Sequence, residues 1–246
     1  MDEVKALVEQ HAHGECVIVP EKDFEHRVTV LRVNLLPKAD PKISAIAGEA
    51  LFAIRSALDH IVWQLVLTNT SHNPTSSNQF PITTSAKDFA EAIRRRQLRG
   101  VSPEAMKLID GLQPYQTEGS PLRLLNHLHN IDKHRMLNVV TVVADNSEII
   151  ARYGDEPYFG LFLGNEELRD GAAFGNIGVP FDLPPEFASI NGRLPKMQMH
   201  GKCSLFVAFD DPAAEDLEEL RVELTLEKIL EFVRDTVVPA FEPFFE

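Results

Sequence analysis

The segment from residue 41 to residue 69 predicts one long helix and constrains the fold more than any other part of the chain. Asp40 and Pro41 suit a helix cap and first turn. At roughly 100° per residue, the apolar side chains form a stripe about 100° wide. We therefore expect this helix to be the centre of the fold. The stripe consists of Ile43, Ala47, Ala50, Leu51, Ile54, Leu58, Ile61 and Leu65.

Shorter segments give a helical first half and a strand-rich second half. Ser85, Ser102-Pro103 and Ser120-Pro121 are typical starts for three more helices. Short β-branched and aromatic runs, separated by Gly, Asn and Pro, predict strands. The predicted helices are 86–96, 103–111, 121–135 and a closing helix over 225–238 that ends at Pro239. The predicted strands are 16–19, 27–36, 137–144, 148–153, 159–163 and 202–209, with an irregular connection from 164 to 196.

Helices followed by strands are typical of an α+β protein. We predict a helical core in which the long helix, about 41–69, packs with a helix at about 120–136. An N-terminal β-hairpin, an antiparallel sheet in the second half and the closing helix complete the fold. We expect one compact domain over residues 1–246. Its parts are a hairpin region (1–40), the helical core (41–136), a strand-rich part (137–210) and an acidic segment with the terminal helix (211–246).

Composition excludes several classes of function. The net charge of −13 argues against a protein that coats nucleic acid, which needs a positive footprint. The sequence contains neither the uninterrupted apolar run of a membrane span nor the basic start and apolar centre of a secretory signal. Cys16 and Cys203 have no Cys-x-x-Cys spacing. We expect a cytoplasmic protein with reduced thiols and no membrane partner.

The face of the long helix opposite its apolar stripe carries Arg55, Asp59, His60, Phe52 and Trp63. Arg55 and Asp59 are four residues apart and can pair along the helix. Arginine supplies a fixed cation for phosphate or carboxylate, and histidine exchanges protons near neutral pH. Cleavage of a phosphodiester by its own 2′-hydroxyl requires these two capacities.

Two other interpretations of this face stay open. The Arg-Asp-His set can be a buried network that specifies packing in a non-catalytic binding or interaction protein. Alternatively, Phe52, Trp63 and Tyr115 can line a small-molecule pocket in which Arg55 binds an anionic ligand.

A second polar run covers residues 127–135 and includes Asn130, His134 and Arg135. Its three histidines and one aspartate suggest a metal site. However, the facing His-x-x-x-His pair and the Glu-x-x-His motif of helical metal sites are missing. We therefore predict no metal here, and a polar helix end that contacts the long helix for structural or catalytic reasons.

The run from residue 94 to residue 99 is the main positive cluster and contains Arg95 and Arg96. Arginines at a helix C-terminus are favoured by the helix dipole, so the run is typical of a solvated helix end. If the Arg55 site acts on RNA, the same arginines are the natural contact to the RNA backbone. Phosphate-binding loops, dinucleotide fingerprints and Gly-x-Ser-x-Gly are missing from the sequence, and we predict no cofactor.

Four motifs over roughly residues 15–140 resemble a set of uncharacterised bacterial proteins. These are RSALDH within the long helix, then FPI, LQPY and NIDKHR, in the same order along the chain. This resemblance implies no established activity.

The spacing of Arg55 and His60 also resembles the Arg-x4-His motif of the HEPN superfamily. Its members are small helical proteins, many of them metal-independent ribonucleases of toxin or phage-defence systems, in which Arg and His of two protomers meet across a dimer interface. The resemblance implies a homodimer that cleaves RNA without metal, with Arg55 and His60 as the catalytic pair. We expect Asp59 to orient one of them, and Asn130 or His134 to assist.

Overall fold

The computed structural model confirms the α+β class. The residues that it describes are 2–11, 16–23, 25, 28–34, 38–71, 73–117, 120–134, 136–143, 148–153, 156–162, 171, 173–177, 198–202, 205–211 and 220–245. The helices are α1 (Asp2–His11), α2 (Pro41–Asn69), α3 (Ala86–Arg94), α4 (Pro103–Gly111), α5 (Pro121–His134), α6 (Val222–Phe232) and α7 (Val238–Phe241). The strands are β1 (Cys16–Asp23), β2 (Val28–Asn34), β3 (Val139–Val143), β4 (Glu148–Tyr153), β5 (Glu156–Phe162), β6 (Ala173–Ile177), β7 (Gln198–Lys202) and β8 (Leu205–Phe209).

The chain divides into two compact units. Unit 1 contains Ser44–Leu137 and Val222–Glu246, and unit 2 contains Asp2–Ile43 and Asn138–Arg221. The described elements of unit 1 are helical, and those of unit 2 are the strands with α1. The single domain expected over residues 1–246 stays a prediction.

Unit 2 is built from antiparallel strands. Six of them form a sheet in the order β5-β4-β7-β1-β2-β6, and β3 pairs with β8 in a second sheet. The single strand predicted over 202–209 is therefore wrong, because β7 and β8 lie in different sheets. The irregular connection predicted from 164 to 196 contains β6, which pairs with β2. The pattern was missed because Gly175 and Asn176 interrupt its apolar residues.

In unit 1, α2 buries more of its circumference than the apolar stripe alone. Ala47, Leu51, Ile54, Leu58, Ile61 and Leu65 are buried, as their periodicity indicates. Gly48, Val62 and Val66 are buried as well, on the flank that also carries Arg55. A Cβ added to Gly48 would lie 2.6 Å from the Asp132 carboxylate, so α5 approaches α2 closely on this flank. The opposite flank, with His60, is exposed.

Two helix ends differ from their predictions for local reasons. Helix α3 ends at Arg94, because Arg96 adopts a left-handed conformation with φ 66°. The Arg96 N–H then donates to Ile93 O and the Gln97 N–H to Ala92 O, which is the Schellman arrangement. The predicted stop at Pro239 is also wrong. A π-helical segment, Val233–Val237, follows α6, and Pro239 lies in the first turn of α7, where its missing N–H is tolerated.

Helix α2 is, among the described helices, the one long and apolar enough to cross a membrane by length and composition. A core helix of a globular protein satisfies the same criteria. The charged Arg55–Asp59 pair lies in the middle of this helix, and its apolar stripe is largely buried.

Substitution of Gly100 tests how the loop that contains it packs against Val66 of α2. Its φ of +90° is unfavourable for other residues, and an added Cβ would lie 3.0 Å from Cγ1 of Val66. We expect Gly100→Ala to lower the free energy of unfolding by about 1–3 kcal/mol in urea denaturation. Gly111→Ala is the control, because a Cβ there meets nothing within 4 Å. A loss no larger than that of the control would contradict the described loop.

Candidate functional site

Arg55 and Asp59 together hold the backbone of Phe80 against α2. Nη2 of Arg55 donates to the carbonyl oxygen of Phe80 at 2.6 Å. The Phe80 N–H donates to Oδ1 of Asp59 at 2.8 Å, and the same Oδ1 lies 3.0 Å from Nη2 of Arg55. Both side chains come from one face of α2 because they are four residues apart. We call this arrangement the Phe80 clamp.

The groups that form the Phe80 clamp are largely buried. The Phe80 side chain is fully buried and packs edge-on against Phe241, with ring centroids 6.3 Å apart. The guanidinium of Arg55 is mostly buried, and this burial lowers its pKa, while the Asp59 carboxylate opposes the shift. Arginine stays protonated under such conditions, so the clamp keeps a full positive charge in the interior.

Gln113 holds the backbone of the residues that follow Phe80. Its Nε2 donates to the carbonyl oxygens of Pro81 and Ile109, both at 2.9 Å. Its Oε1 accepts from the backbone N–H of Thr83 at 2.9 Å and from the Thr83 hydroxyl. Sequence reasoning did not single out Gln113, although it lies within the LQPY motif.

His129 is the second residue that sequence reasoning missed. Its side chain is 5% exposed, and its ring lies 6.3 Å from that of Phe52. Burial lowers the pKa of His129, and the positive charges of Lys133 and Arg55 lower it further. The imidazole is therefore predominantly neutral at pH 7. The run of three histidines in 127–135, noted from the sequence, includes His129. Only the contact between α2 and α5 distinguishes His129 from the other two histidines.

A polar cavity of about 310 Å³ lies beside the Phe80 clamp. We call it the Arg55 cavity. It brings together three cationic groups, two carboxylates and the buried imidazole. These lining residues are Arg55, Arg95, Lys133, Asp88, Glu91 and His129.

Two residues that line this cavity have a buried nitrogen atom without a protein partner. Within the described part of the chain, neither Nη1 of Arg55 nor Nδ1 of His129 has a hydrogen-bond partner. Leaving such a buried group unpaired costs about 1–3 kcal/mol, and folded proteins contain few of them. The residues that carry both atoms line the same cavity.

A second cavity, of about 550 Å³, lies along α5. We call it the α5 cavity. Asn126 lines both cavities. Other lining residues of the α5 cavity are Arg123, His127, Asn130, Ile131 and His134.

The predicted catalytic residues are divided between these places. Arg55 lines the first cavity and Asp59 supports it in the clamp, whereas Asn130 and His134 line the second. His60 is exposed and lines neither cavity. It lies about 140° from Arg55 around the helix axis, so the two do not meet within one chain.

The predicted binding residues are also divided. Arg95 lines the Arg55 cavity, whereas Arg96 is exposed outside both cavities. Phe52 and Trp63 are 64% and 39% exposed and line neither cavity.

Tyr115 bonds through its hydroxyl to the Asp110 carboxylate and also lies outside both cavities. Burial and this hydrogen bond raise the pKa of Tyr115 to about 12. Arg135 lies outside the described residues.

The described residues contain no group of three or more His, Cys, Asp and Glu side chains placed to hold a metal ion. No family model, curated protein or solved structure matches this chain. The two resemblances therefore stay hypotheses, and the function has to be argued from the side chains of the two cavities.

Substitution of Arg55 tests the structural role of the clamp. We expect Arg55→Ala to lower the free energy of unfolding by about 2–4 kcal/mol, because it leaves the Phe80 carbonyl without its donor and the Asp59 carboxylate without its cationic partner. Asp59→Asn should cost less, since an amide oxygen can still accept from the Phe80 N–H. Urea denaturation measures both.

Arg94→Ala is the matched control for the clamp. Arg94 pairs with Glu91 at the surface, where an ion pair contributes little, about 0–1 kcal/mol. A loss from Arg55→Ala no larger than that from Arg94→Ala would contradict the clamp.

Proposed function

We propose that this protein binds a small molecule bearing a phosphate or carboxylate group in the Arg55 cavity. The observation that carries this proposal is that two residues of one cavity lining, Arg55 and His129, each have a buried nitrogen atom, Nη1 and Nδ1, without a protein partner. A guanidinium with a free nitrogen is suited to an anionic oxygen, and hydrogen bonds of this charged type are about twice as strong as neutral ones.

The other cations of the cavity are available to the same ligand. Arg95 pairs with Glu91 at 3.3 Å, but both side chains are largely exposed, so this pair is weak. Lys133 is exposed and lines the same cavity. An anion at Arg55 can therefore recruit both side chains at small energetic cost.

His129 adds a group whose protonation the ligand can change. Since its imidazole is predominantly neutral in the free protein, it does not repel Arg55 strongly. A bound anion favours the protonated imidazole and raises its pKa. Binding should then take up protons and become tighter as the pH falls from the raised pKa of His129 in the complex toward its lowered pKa in the free protein.

Binding of inorganic phosphate tests the proposal. In ³¹P NMR titrations at low ionic strength, we expect Arg95→Ala and Lys133→Ala each to weaken phosphate binding about tenfold, which corresponds to about 1.4 kcal/mol. Arg94→Ala is the matched control, because Arg94 pairs with the same Glu91 but lines neither cavity. Wild-type protein that does not bind phosphate, or an equal loss in the control, would refute the proposal.

A second candidate is the metal-independent endoribonuclease that the HEPN resemblance implies, acting as a homodimer. One observation favours it. Phe52, Trp63 and Leu67 are exposed on the same broad face of α2 as His60. Exposed apolar side chains that follow one helix face suit an interface between two copies. Because Arg55 and His60 diverge within one chain, a catalytic pair would need His60 of one protomer and Arg55 of another.

Cleavage of single-stranded RNA in the presence of EDTA tests this candidate. We expect His60→Ala to abolish cleavage without loss of stability, since His60 is exposed. Gln64→Ala, at an exposed position one turn further along α2, is the control and should retain activity. If purified wild-type protein leaves RNA intact, or if His60→Ala cleaves at the wild-type rate, the nuclease candidate is excluded.

A further inference from the structure

We infer that the ligand of the Arg55 cavity is an elongated small molecule with an anionic group at each end, and that it extends past Asn126 into the α5 cavity. This inference rests on the proposed function, because it takes the Arg55 cavity as the site of the first anionic group. The arrangement of side chains on α5 supports it.

Helix α5 places Asn126 on the boundary between two sets of polar side chains. Measured around the helix axis from Asn126, His129 and Lys133 lie at about −60° and −20°. Asn130, Arg123 and His134 lie at about +40°, +60° and +80°. The first set lines the Arg55 cavity, and the second lines the α5 cavity. A ligand that crosses Asn126 therefore contacts both sets.

The charge of the α5 cavity suits a second anionic group. The described residues that line it include Arg123 and contain no Asp or Glu. The whole chain has 37 acidic residues against 24 basic ones, so a lining free of carboxylates differs from the chain as a whole. Arg123 is exposed and supplies a cation, and the imidazole of His134 can add a hydrogen bond.

The space suits a molecule of moderate length. Volumes of about 310 and 550 Å³ are within the range of small-ligand sites. The angle between the two sets corresponds to an arc of about 10 Å at the outer radius of a helix. A carbon chain with a phosphate or carboxylate at each end covers such an arc.

The side chains between the two ends offer hydrogen bonds to the body of this ligand, within a lining of the α5 cavity whose accessible surface is mainly apolar. Asn126 and Asn130 carry amides that both donate and accept hydrogen bonds, and Thr84 adds a hydroxyl to the α5 cavity. Groups of this kind match the hydroxyls of a polyol or sugar. A sugar bisphosphate combines this body with the two anionic ends.

Calorimetric titration of the full chain with two matched probes tests the inference. Fructose 1,6-bisphosphate and fructose 6-phosphate share a sugar body and differ in the second phosphate. We expect the bisphosphate to bind at least about tenfold tighter, the effect of one charged hydrogen bond. Arg123→Ala should remove this advantage, whereas Arg94→Ala should preserve it, because Arg94 lines neither cavity. Lys133→Ala should weaken both probes.

The outcomes separate the inference from the proposed function. Equal affinity for the two sugar phosphates, or no effect of Arg123→Ala, would overturn the two-anion ligand even where Lys133→Ala still weakens phosphate binding. No binding of either sugar phosphate or of inorganic phosphate would overturn the proposed function itself. Binding of a single-stranded RNA octamer that depends on Arg123, without binding of the bisphosphate, would overturn the assignment to a small molecule.

Discussion

The fold of unit 1 depends on two hydrogen bonds that join one residue of a loop to one face of a helix. Arg55 donates to the Phe80 carbonyl and Asp59 accepts from the Phe80 N–H, so both backbone groups of a buried residue are satisfied by α2. Without them, Phe80 could place its ring against Phe241 only at the cost of two buried unpaired backbone groups. The same bonds fix the segment that forms one wall of the Arg55 cavity. The same two hydrogen bonds therefore stabilise the packing of unit 1 and position one wall of the candidate site.

The features that the sequence could predict depend on residues that lie close together along the chain. The apolar period of α2 marks most of the side chains that are buried, because the period depends only on helix geometry. The Arg55–Asp59 pair follows from the same geometry, since residues four apart are neighbours on a helix. The Ser85 and Ser102 caps also act within a few residues, and both are present in the structure.

What the sequence could not predict depends on segments that meet in space. Nothing near Arg55 in the sequence indicates that its partner is the Phe80 carbonyl, or that Gln113 bonds to Pro81 and Thr83. The motif spacing drew attention to His60, but a separation of five residues turns two side chains about 140° apart. The imidazole that joins Arg55 in a cavity is His129, from α5. Only the close approach of α2 and α5 distinguishes it from the other histidines of its run.

The structural and functional interpretations of Arg55 are compatible, because they concern different atoms. Nη2 belongs to the clamp, whereas Nη1 faces no described protein partner. If Arg55 served packing alone, a shorter donor to the Phe80 carbonyl would avoid the cost of an unpaired buried nitrogen, about 1–3 kcal/mol. The neighbouring His129 carries the same kind of cost at Nδ1. Under the proposed function, an anion that accepts hydrogen bonds from both side chains would offset these two costs. The clamp would then also favour binding, because it holds the guanidinium in place before a ligand arrives.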